Sequence, residues 1–399
     1  MFESEFIVFE NFPRLKRLPA YILSAINQKK QELRRKGVDV IDLGMGNPNI
    51  PAPPQVVNKI KEAVEDPRNH RYSITYGLPK LREEIAKRYK NVWNVELDPE
   101  SEVVSVNGTK MGFFQLMFAI LSQGDTVLVP EPAYPAHLYA PIIAGADVRT
   151  FPMNGDFFGN LEKVLKTTYP KPKAIVISFP NNPTTKCVDL EFFRKIVDFA
   201  ISEGIWLIHD FAYADIVFDG YEAPSILQIK DAKKIAIEFY SMSKGFCMAG
   251  FRIGFALGNP TLISALSKIK SWMEYGVFQP IQISAIIAMR EAADYPKKVA
   301  QIYQKRRDTV VSWLKKIGWE IEAPQGSMFV WAKIPQDFQK LGSIKFSELL
   351  LEKAEVAVAP GVAFGQSGEG YIRIALVENE NRIKQAMRNI RRFMENGKI

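Results

Sequence analysis

The chain has 399 residues, of which 47% are hydrophobic and 12% aromatic, and its 52 Lys and Arg against 44 Asp and Glu give a net charge of +8. This composition excludes a disordered protein and is sufficient for two domains. His70, His137 and His209 lie far apart in sequence, and no His or Cys pair has the spacing of a zinc site, so no metal site is expected.

Charge, cysteines and hydropathy also limit the expected partners and location. Basic residues are interspersed with acidic ones, which favours small anionic substrates over nucleic acid. The longest apolar runs, such as Phe113 to Leu121, are about half the length of a membrane span. Met1 to Asn11 does not resemble a signal peptide, and Cys187 and Cys247 are expected to be reduced. We therefore expect a cytoplasmic protein with no nucleic-acid or membrane partner.

Between about residues 100 and 260, short apolar runs alternate with helical patterns, which predicts an α/β fold with a parallel sheet covered by helices. The predicted strands are Val103 to Val106, Thr126 to Val129, Ala174 to Phe179, Trp206 to His209, Ile235 to Tyr240 and Ile253 to Leu257. The predicted helices between them are Met111 to Leu121 and Leu190 to Glu203.

The pattern changes after Asn259, where long helices lead into a region of mixed strands and helices. The long helices are predicted over Thr261 to Tyr275, Ile281 to Ala292 and Lys297 to Ile317. Strand-like patterns cover Trp319 to Ile334 and Val356 to Val377, and helical ones cover Phe346 to Lys353 and Asn379 to Asn396. We expect residues 49–290 to form a large domain. Residues 291–399 would form a smaller α+β domain, joined by an N-terminal arm and further residues from 1–48.

Lys244, in Ser241-Met242-Ser243-Lys244, directly follows a predicted strand. The carboxyl ends of parallel strands form the ligand-binding edge of an open α/β sheet. A lysine at this edge can form an imine with an aldehyde cofactor if its surroundings lower its pKa. Arg252 and the Ser241 hydroxyl are suited to a phosphate. By itself this pattern is weak evidence, because most lysines are simply solvated.

Polar residues follow other strands at the same predicted edge. Asp210 directly follows a strand and Tyr213 comes three residues later. A carboxylate there can keep a pyridine nitrogen protonated, and a phenol can hydrogen-bond to the ring oxygen. Gly108-Thr109-Lys110 opens a helix whose N-H groups could hold phosphate. Asn182 and Tyr134 follow two further strands, and an aromatic face such as that of Tyr134 can stack on a planar ring.

Arg373 lies in the strand-like stretch Tyr371 to Ala375, where an inward arginine requires a partner. A substrate carboxylate, bound through two parallel hydrogen bonds, is one such partner, and a structural ion pair with a glutamate is the alternative.

Together these motifs resemble the fold type I, class I and II aminotransferases in order and spacing. The matching motifs are Gly108-Thr109-Lys110, Tyr134, Asn182-Pro183-Thr184, Asp210-x-x-Tyr213, Ser241-x-Ser243-Lys244, Arg252 and Arg373. The resemblance implies the fold of pyridoxal 5'-phosphate (PLP)-dependent transferases, with a mostly parallel seven-stranded sheet in the large domain, and a homodimer.

The resemblance also implies roles for individual residues. Lys244 would hold PLP as an aldimine and move the substrate proton, Asp210 would pair with the pyridine nitrogen, and Tyr213 would contact the ring oxygen. The other expected cofactor contacts are Asn182 and Tyr134 at the ring and Gly108, Thr109, Lys110, Ser241, Ser243 and Arg252 near the phosphate. The expected substrate contacts are Arg373, Asn182, Gly46 and Tyr21. Tyr72 would reach the phosphate of the neighbouring subunit.

Within the family, the longest matching strings resemble the bacterial glutamate-pyruvate (alanine) aminotransferases. They include Gly46-Asn47-Pro48 and His209 to Val217, whereas Tyr76 and Gly245-Phe246-Cys247 depart from the pattern. The expected reaction is a ping-pong exchange between alanine and 2-oxoglutarate. Aspartate, methionine and LL-diaminopimelate aminotransferases, or a lyase with the same cofactor, are the alternatives. No second arginine for a side-chain carboxylate is evident, which counts against aspartate.

Overall fold

The computed structural model describes residues 12–19 and 22–396, and a seven-stranded sheet is the largest element in this part of the chain. The strands are β1 (Ile41–Asp42), β2 (Val103–Val106), β3 (Thr126–Glu131), β4 (Asp147–Pro152), β5 (Ala174–Ser178), β6 (Trp206–Asp210), β7 (Ala236–Ser241), β8 (Gly254–Gly258), β9 (Phe329–Lys333), β10 (Val356–Ala357), β11 (Ala359–Pro360) and β12 (Tyr371–Ala375). The large sheet has the order β2-β8-β7-β6-β5-β3-β4.

Helices cover both faces of this sheet and continue into the C-terminal part of the chain. The α-helices are Pro13–Lys16, Ile22–Arg35, Pro54–Glu65, Pro79–Trp93, Thr109–Ile120, Pro135–Ala144, Phe157–Thr167, Leu190–Glu203, Pro260–Met273, Gln279–Glu291, Tyr295–Lys316, Gly342–Lys353 and Glu380–Asn396. Within the described residues, no helix is both long and apolar enough to cross a lipid bilayer.

Local sequence explains where these helices begin and end. The Asp189 carboxylate accepts a hydrogen bond from the Phe192 N-H at 2.8 Å and caps the helix Leu190–Glu203. Gly204 ends that helix with a φ of 61°, a left-handed conformation that glycine adopts without steric cost.

Side chains of the central strands alternate between the two faces of the sheet and pack into two separate hydrophobic cores. In β5, Ile175 and Ile177 pack into the core on one face of the sheet, whereas Ala174 and Val176 pack into the core on the other. Because both faces are covered, these strands read as continuous apolar runs. A third core surrounds the antiparallel sheet β11-β12-β9 and includes Tyr303.

The direction of β8 determines what lies at the functional edge. Strands β3 to β7 are mutually parallel, whereas β8 runs antiparallel to both β2 and β7. Gly254, the first residue of β8, therefore pairs with Val106 and Ser241, the last residues of β2 and β7. As a result Arg252, which precedes β8, lies at the same edge as the carboxyl ends of the other strands.

The predicted α/β fold is confirmed, and the six predicted strands occur within two residues of their expected bounds. The mostly parallel seven-stranded sheet is confirmed as well, and β8 is its one antiparallel strand. β4 was not predicted, since its residues are mostly exposed at the sheet edge and lack an apolar run. In Trp319 to Ile334 only Phe329–Lys333 forms a strand, because the residues before it make loop contacts such as the Phe218 N-H to the Gln325 carbonyl oxygen.

Candidate active site

A cavity of about 840 Å³ lies at the carboxyl edge of the large sheet and gathers most of the predicted site residues. The predicted residues that line it are Gly46, Thr109, Lys110, Tyr134, Asn182, Asp210, Tyr213, Ser241, Ser243, Lys244, Arg252 and Arg373. They come from positions more than 300 residues apart in sequence, from Gly46 to Arg373. Strand order therefore creates this site, because the ends of β2, β3, β5, β6 and β7 meet at one edge.

Lys244 lies in the loop after β7 with its amine inside the cavity. Its Nζ donates a hydrogen bond to the Gly46 carbonyl oxygen at 3.0 Å and lies 5.8 Å from the centre of the Tyr213 ring. Burial, followed by the nearby charges of Arg373 and Arg252, lowers the pKa of Lys244 to about 8. The neutral, nucleophilic amine is therefore accessible at moderately alkaline pH.

Asp210, the last residue of β6, pairs with a histidine that the sequence did not single out for the site. Nε2 of His137 lies 2.9 Å from Oδ2 of Asp210, and the Ala212 N-H donates to Oδ1 at 3.2 Å. His137 is in the first turn of Pro135–Ala144, after β3, and its ring packs edge-on against Tyr134 and Phe113. The carboxylate is thus fixed on one side and open to the cavity on the other.

Arg373, in β12, crosses from the smaller sheet to the edge of the larger one. Its Nη1 donates to Oδ1 of Asn182 at 2.7 Å, and its Nη2 donates to the Gly44 carbonyl oxygen at 2.9 Å. Its guanidinium carbon lies 4.1 Å from the centre of the Phe329 ring and 4.5 Å from that of Phe364. Two rings and two oxygens therefore hold this planar cation in one orientation.

The Gly108 side of the cavity has the features of a phosphate site. A Cβ at Gly108 would collide with the Arg252 guanidinium, so the glycine allows the cation to approach the start of the helix Thr109–Ile120. The Ser241 hydroxyl accepts the Ser243 N-H at 3.2 Å, and both serines line the cavity. A helix N-terminus beside an arginine is a general anion site.

Three predicted residues are not in the cavity lining. Gly108 contacts the Arg252 guanidinium without lining the cavity, and Tyr21 is outside the described residues. Tyr72 is 82% exposed and stacks on Tyr275 with 4.1 Å between ring centres. The structure therefore places Tyr72 on the surface of this chain.

Sequence reasoning missed His137, Phe329 and Phe364 as site residues. His137 follows Tyr134 by three residues, at the start of a helix at the sheet edge. Its place in the site could therefore have been predicted from the sequence. Phe329 and Phe364 could not have been predicted as site residues, because apolar residues in β9 and in Gly361–Phe364 are the pattern of an ordinary hydrophobic core.

A buried hydrogen-bond network packs against the loop that carries Lys244. Asp215 accepts hydrogen bonds from Arg88 and, at 2.6 Å, from the Tyr240 hydroxyl. A Cβ at Gly245 would lie 2.7 Å from Cβ of Asp215, so only glycine fits beside this carboxylate. The Arg88 guanidinium also lies 5.1 Å from the centre of the Phe246 ring. The unusual Gly245-Phe246 pair after the lysine is therefore matched to Arg88 and Asp215.

A second histidine-carboxylate pair, His209 on β6 and Glu238 on β7, does not line the cavity. Nδ1 of His209 lies 2.8 Å from Oε2 of Glu238, and both side chains are fully buried. Glu238 also accepts hydrogen bonds from the Tyr89 and Ser225 hydroxyls, both at 2.7 Å, and from the Ile226 N-H at 3.0 Å. Four donors satisfy this carboxylate within the protein interior.

The donor set fits a phosphorylated pyridine aldehyde. It combines an amine of lowered pKa, a carboxylate open on one side, a helix N-terminus with an adjacent arginine, and a second arginine held between two rings. Such an arrangement is suited to an enzyme that activates the α-carbon of an amino acid.

The model of the family "Aminotransferase class I and II" matches residues 38–390. The chain belongs to this PLP-dependent family and is an aminotransferase, an enzyme that moves an amino group between an L-amino acid and a 2-oxo acid.

Individual relatives resemble the chain over nearly its whole length. It is 46% identical to the glutamate-pyruvate aminotransferase AlaC of Escherichia coli, over 95% of this chain and 93% of that protein. It is 38% identical to an LL-diaminopimelate aminotransferase of Moorella thermoacetica, over 97% and 98% of the two chains. The crystal structure of an aspartate aminotransferase from Thermotoga maritima superimposes with a TM-score of 0.87 at 30% identity, over 96% and 99%.

Proposed function

We propose that this aminotransferase holds PLP covalently on Lys244 and exchanges amino groups between alanine and 2-oxoglutarate, or in reverse between glutamate and pyruvate. The observation that carries the cofactor assignment is the buried amine of Lys244, with its pKa lowered to about 8, in the same cavity as Asp210. The substrate pair rests on the 46% identity to the glutamate-pyruvate enzyme.

The protein side of the chemistry is divided between two residues. When bound, PLP supplies a protonated pyridine ring that accepts the electron pair left at the substrate α-carbon. The Lys244 amine would take the proton from that carbon and deliver it to the C4' carbon of the bound cofactor. Asp210 keeps the ring nitrogen protonated, and His137 holds the carboxylate in place.

The remaining side chains bind and orient the two small molecules. Arg373 binds the substrate α-carboxylate with its two nitrogens, assisted by Asn182. Tyr134 stacks on the cofactor ring, and Tyr213 and Asn182 hydrogen-bond to the ring oxygen. The proposed contacts near the phosphate are Gly108, Thr109, Lys110, Ser241, Ser243 and Arg252. Gly46, whose carbonyl oxygen holds the Lys244 amine, and Tyr21 are proposed to border the substrate.

We also propose a homodimer. Tyr72 is 82% exposed and stacks on Tyr275, and Trp272, three residues before Tyr275, is 84% exposed. Exposed aromatic groups of this size are typical of surfaces that a partner covers. A second copy would cover them and bring its Tyr72 to the phosphate of the first. Light scattering tests the dimer, and Tyr72→Ala should weaken cofactor retention without changing the absorption of the bound cofactor.

The division of the chain into domains and its location are further proposals. We propose a large domain of residues 49–290 and a small domain of residues 291–399 with part of 1–48. The parallel pairing of Ile41 with Val356 supports the joining of the N-terminal segment to the C-terminal one. The unpaired thiols of Cys187 and Cys247 support a cytoplasmic location, which cell fractionation would test.

The test of function is product analysis with purified protein. L-Alanine with 2-oxoglutarate should yield pyruvate and glutamate, and L-alanine alone should convert one equivalent per site and bleach the visible absorption of the bound cofactor. Lys244→Ala should retain neither the covalent cofactor nor turnover. If alanine leaves the absorption unchanged, the substrate proposal is wrong, and aspartate, methionine and LL-diaminopimelate are tested next.

LL-Diaminopimelate is the second candidate substrate, because relatives that act on it are 38% identical over nearly the whole chain. Product analysis separates the two, since only one donor should support rapid turnover. Dependence on an added 2-oxo acid distinguishes either transaminase from a lyase, which needs no acceptor.

A further inference from the structure

Lys270 is a fully buried lysine that takes no part in the proposed function. Its side chain has 0% exposure and lies in the last turn of the helix Pro260–Met273. Leu266, one turn earlier, packs into the same core as Leu116 of the helix Thr109–Ile120. Lys270 therefore lies on the inner face of its helix, where a charged amine requires a partner.

Glu274 is that partner and also contacts a second polar side chain. The Lys270 Nζ donates to Oε1 of Glu274 at 2.5 Å. Oε2 of Glu274 accepts a hydrogen bond from the side-chain amide of Asn107. A carboxylate only accepts hydrogen bonds, so its two oxygens join the amine on one side to the amide on the other.

Asn107 lies in the turn of the proposed phosphate site. It follows β2 and directly precedes Gly108, whose φ of 78° is a conformation that glycine adopts without steric cost. The helix Thr109–Ile120 begins at the next residue, and the Arg252 guanidinium lies where a Cβ of Gly108 would be. Two side chains therefore contact the turn, Arg252 at Gly108 and Glu274 at Asn107.

The conformation of this turn determines how well the helix start can bind an anion. The N-H groups there bind phosphate through their direction as well as their partial charge. A turn that could rotate would misdirect them and would have to be ordered when the ligand binds, which lowers the affinity. A carboxylate near an anion also opposes binding unless its charge is compensated, and Lys270 compensates the charge of Glu274.

We propose that Glu274, paired with Lys270, is a positioning residue for the phosphate site. Through Asn107 it holds the turn at Gly108 so that the helix Thr109–Ile120 presents its first N-H groups to the phosphate of PLP. This role rests on the proposed function, because it concerns the site where the cofactor phosphate would bind. The alternative is an ion pair that only stabilises the fold, and the two roles differ in what they predict for a cofactor without phosphate.

The test compares Asn107→Ala with Asn259→Ala. Asn107→Ala removes the contact to the turn and leaves the pair of Lys270 and Glu274 intact. Asn259 caps the start of the same helix, where its Oδ1 accepts the Leu262 N-H at 3.0 Å, and it does not line the cavity. It follows β8 at the opposite edge of the sheet, so its substitution loosens the same helix away from the phosphate site.

Binding of PLP and of pyridoxal, which lacks the phosphate, is measured by absorption on the full chain freed of cofactor. Asn107→Ala should raise the Kd for PLP about tenfold, the scale of one hydrogen bond to a charged group, and leave the Kd for pyridoxal within about twofold. Asn259→Ala should lower thermal stability and leave the ratio of the two Kd values unchanged. Glu274→Gln should change this ratio in the same direction as Asn107→Ala. The double variant should lose little more than Glu274→Gln alone, because both substitutions remove one contact.

Calorimetry with inorganic phosphate keeps the test independent of covalent binding. Asn107→Ala should weaken phosphate binding to the cofactor-free protein, and Asn259→Ala should not. Equal losses for PLP and pyridoxal, unchanged binding of both, or the same change of ratio in Asn259→Ala would overturn the role of Glu274. If the wild-type protein does not bind PLP, the proposed function fails, and the phosphate measurement still decides whether Asn107 and Glu274 position an anion site.

Discussion

The two histidine-carboxylate pairs of the large sheet have similar geometry and very different surroundings. His137 and Asp210 lie 2.9 Å apart, His209 and Glu238 lie 2.8 Å apart, and in both pairs the two residues come from different secondary-structure elements. Glu238 is fully buried and accepts four hydrogen bonds from protein groups, whereas 16% of the Asp210 side chain is exposed at the cavity.

The surroundings of a buried carboxylate distinguish a structural charge from a functional one. A fully satisfied carboxylate has no capacity left for a ligand, and its charge stabilises the elements around it. A carboxylate held on one side only retains acceptor capacity toward the cavity. Substitutions of the two pairs should therefore affect different observables, turnover for His137 and Asp210 and stability for His209 and Glu238.

The largest expected effect is that of Asp210→Asn on turnover. The amide keeps the shape of the side chain and loses the charge that would hold the ring nitrogen protonated. We expect kcat for the amino-group transfer to fall about 10²- to 10⁴-fold, the range typical of a lost acid-base contribution. Steady-state kinetics at saturating PLP measures this. An Asp210→Asn enzyme with nearly normal kcat would remove Asp210 from the proposed chemistry.

Glu238→Gln should have its main effect on stability. It places an amide where four donors point at a carboxylate, and breaking a buried pair of this kind costs about 3 kcal/mol or more. Thermal and denaturant unfolding should show a large loss, while kcat per folded, cofactor-loaded site stays within about twofold of wild type. A hundredfold loss of kcat in folded protein would show that the buried pair also serves the reaction.

The sequence predicted those site residues that lie at or just after the end of a buried strand. Asp210 ends β6, Lys244 and Asn182 follow β7 and β5, and the carboxyl ends of neighbouring parallel strands meet at one edge whatever their order in the chain. Arg252 was predicted from its match to a family motif and not from a position at the carboxyl end of a strand. Its place depends on the reversed direction of β8, and hydrophobic patterning does not report strand direction.

The contact between His137 and Asp210 could not be derived from local pattern. It depends on the sheet order β6-β5-β3, which brings the helix after β3 toward the end of β6 across one intervening strand. The aromatic pair around Arg373 was hidden for a similar reason, since Phe329 and Phe364 meet only when the smaller sheet is formed. Contacts that depend on the order of strands in the sheet cannot be predicted from the spacing of residues along the chain.

A smaller effect is expected from His137→Asn. The shorter side chain removes the contact to Asp210 at 2.9 Å and leaves the carboxylate charged but less firmly oriented. We expect kcat to fall about tenfold, which corresponds to about 1.4 kcal/mol of transition-state stabilisation, with little change in thermal stability. His209→Asn is the matched variant of the buried pair and should show the reverse, with lower stability and nearly unchanged kcat. Equal behaviour of the two variants would contradict the distinction.

A further expected effect concerns the pH dependence of the cofactor-free protein. Burial, Arg373 and Arg252 lower the pKa of Lys244 from 10.5 to about 8, so the folded chain releases this proton at lower pH than the unfolded chain. Between about pH 8 and 10.5 the unfolded state binds more protons, and the free energy of unfolding contributed by Lys244 therefore rises with pH. Below about pH 8 both states carry the proton, and the contribution is constant.

Denaturant unfolding across this range, with Lys244→Met as the reference that lacks the titrating group, should show the rise as a difference between the two proteins. Asp210 raises the pKa of Lys244 as one of the weaker contributions, so Asp210→Asn should move the lower limit of the window to lower pH. Glu238 is not among the groups that act on this amine, and Glu238→Gln should leave the window in place. A difference curve that is flat from pH 8 to 10.5 would show that the amine is solvated in the folded chain. Equal shifts in both carboxylate variants would show that the buried pair is coupled to the cavity after all.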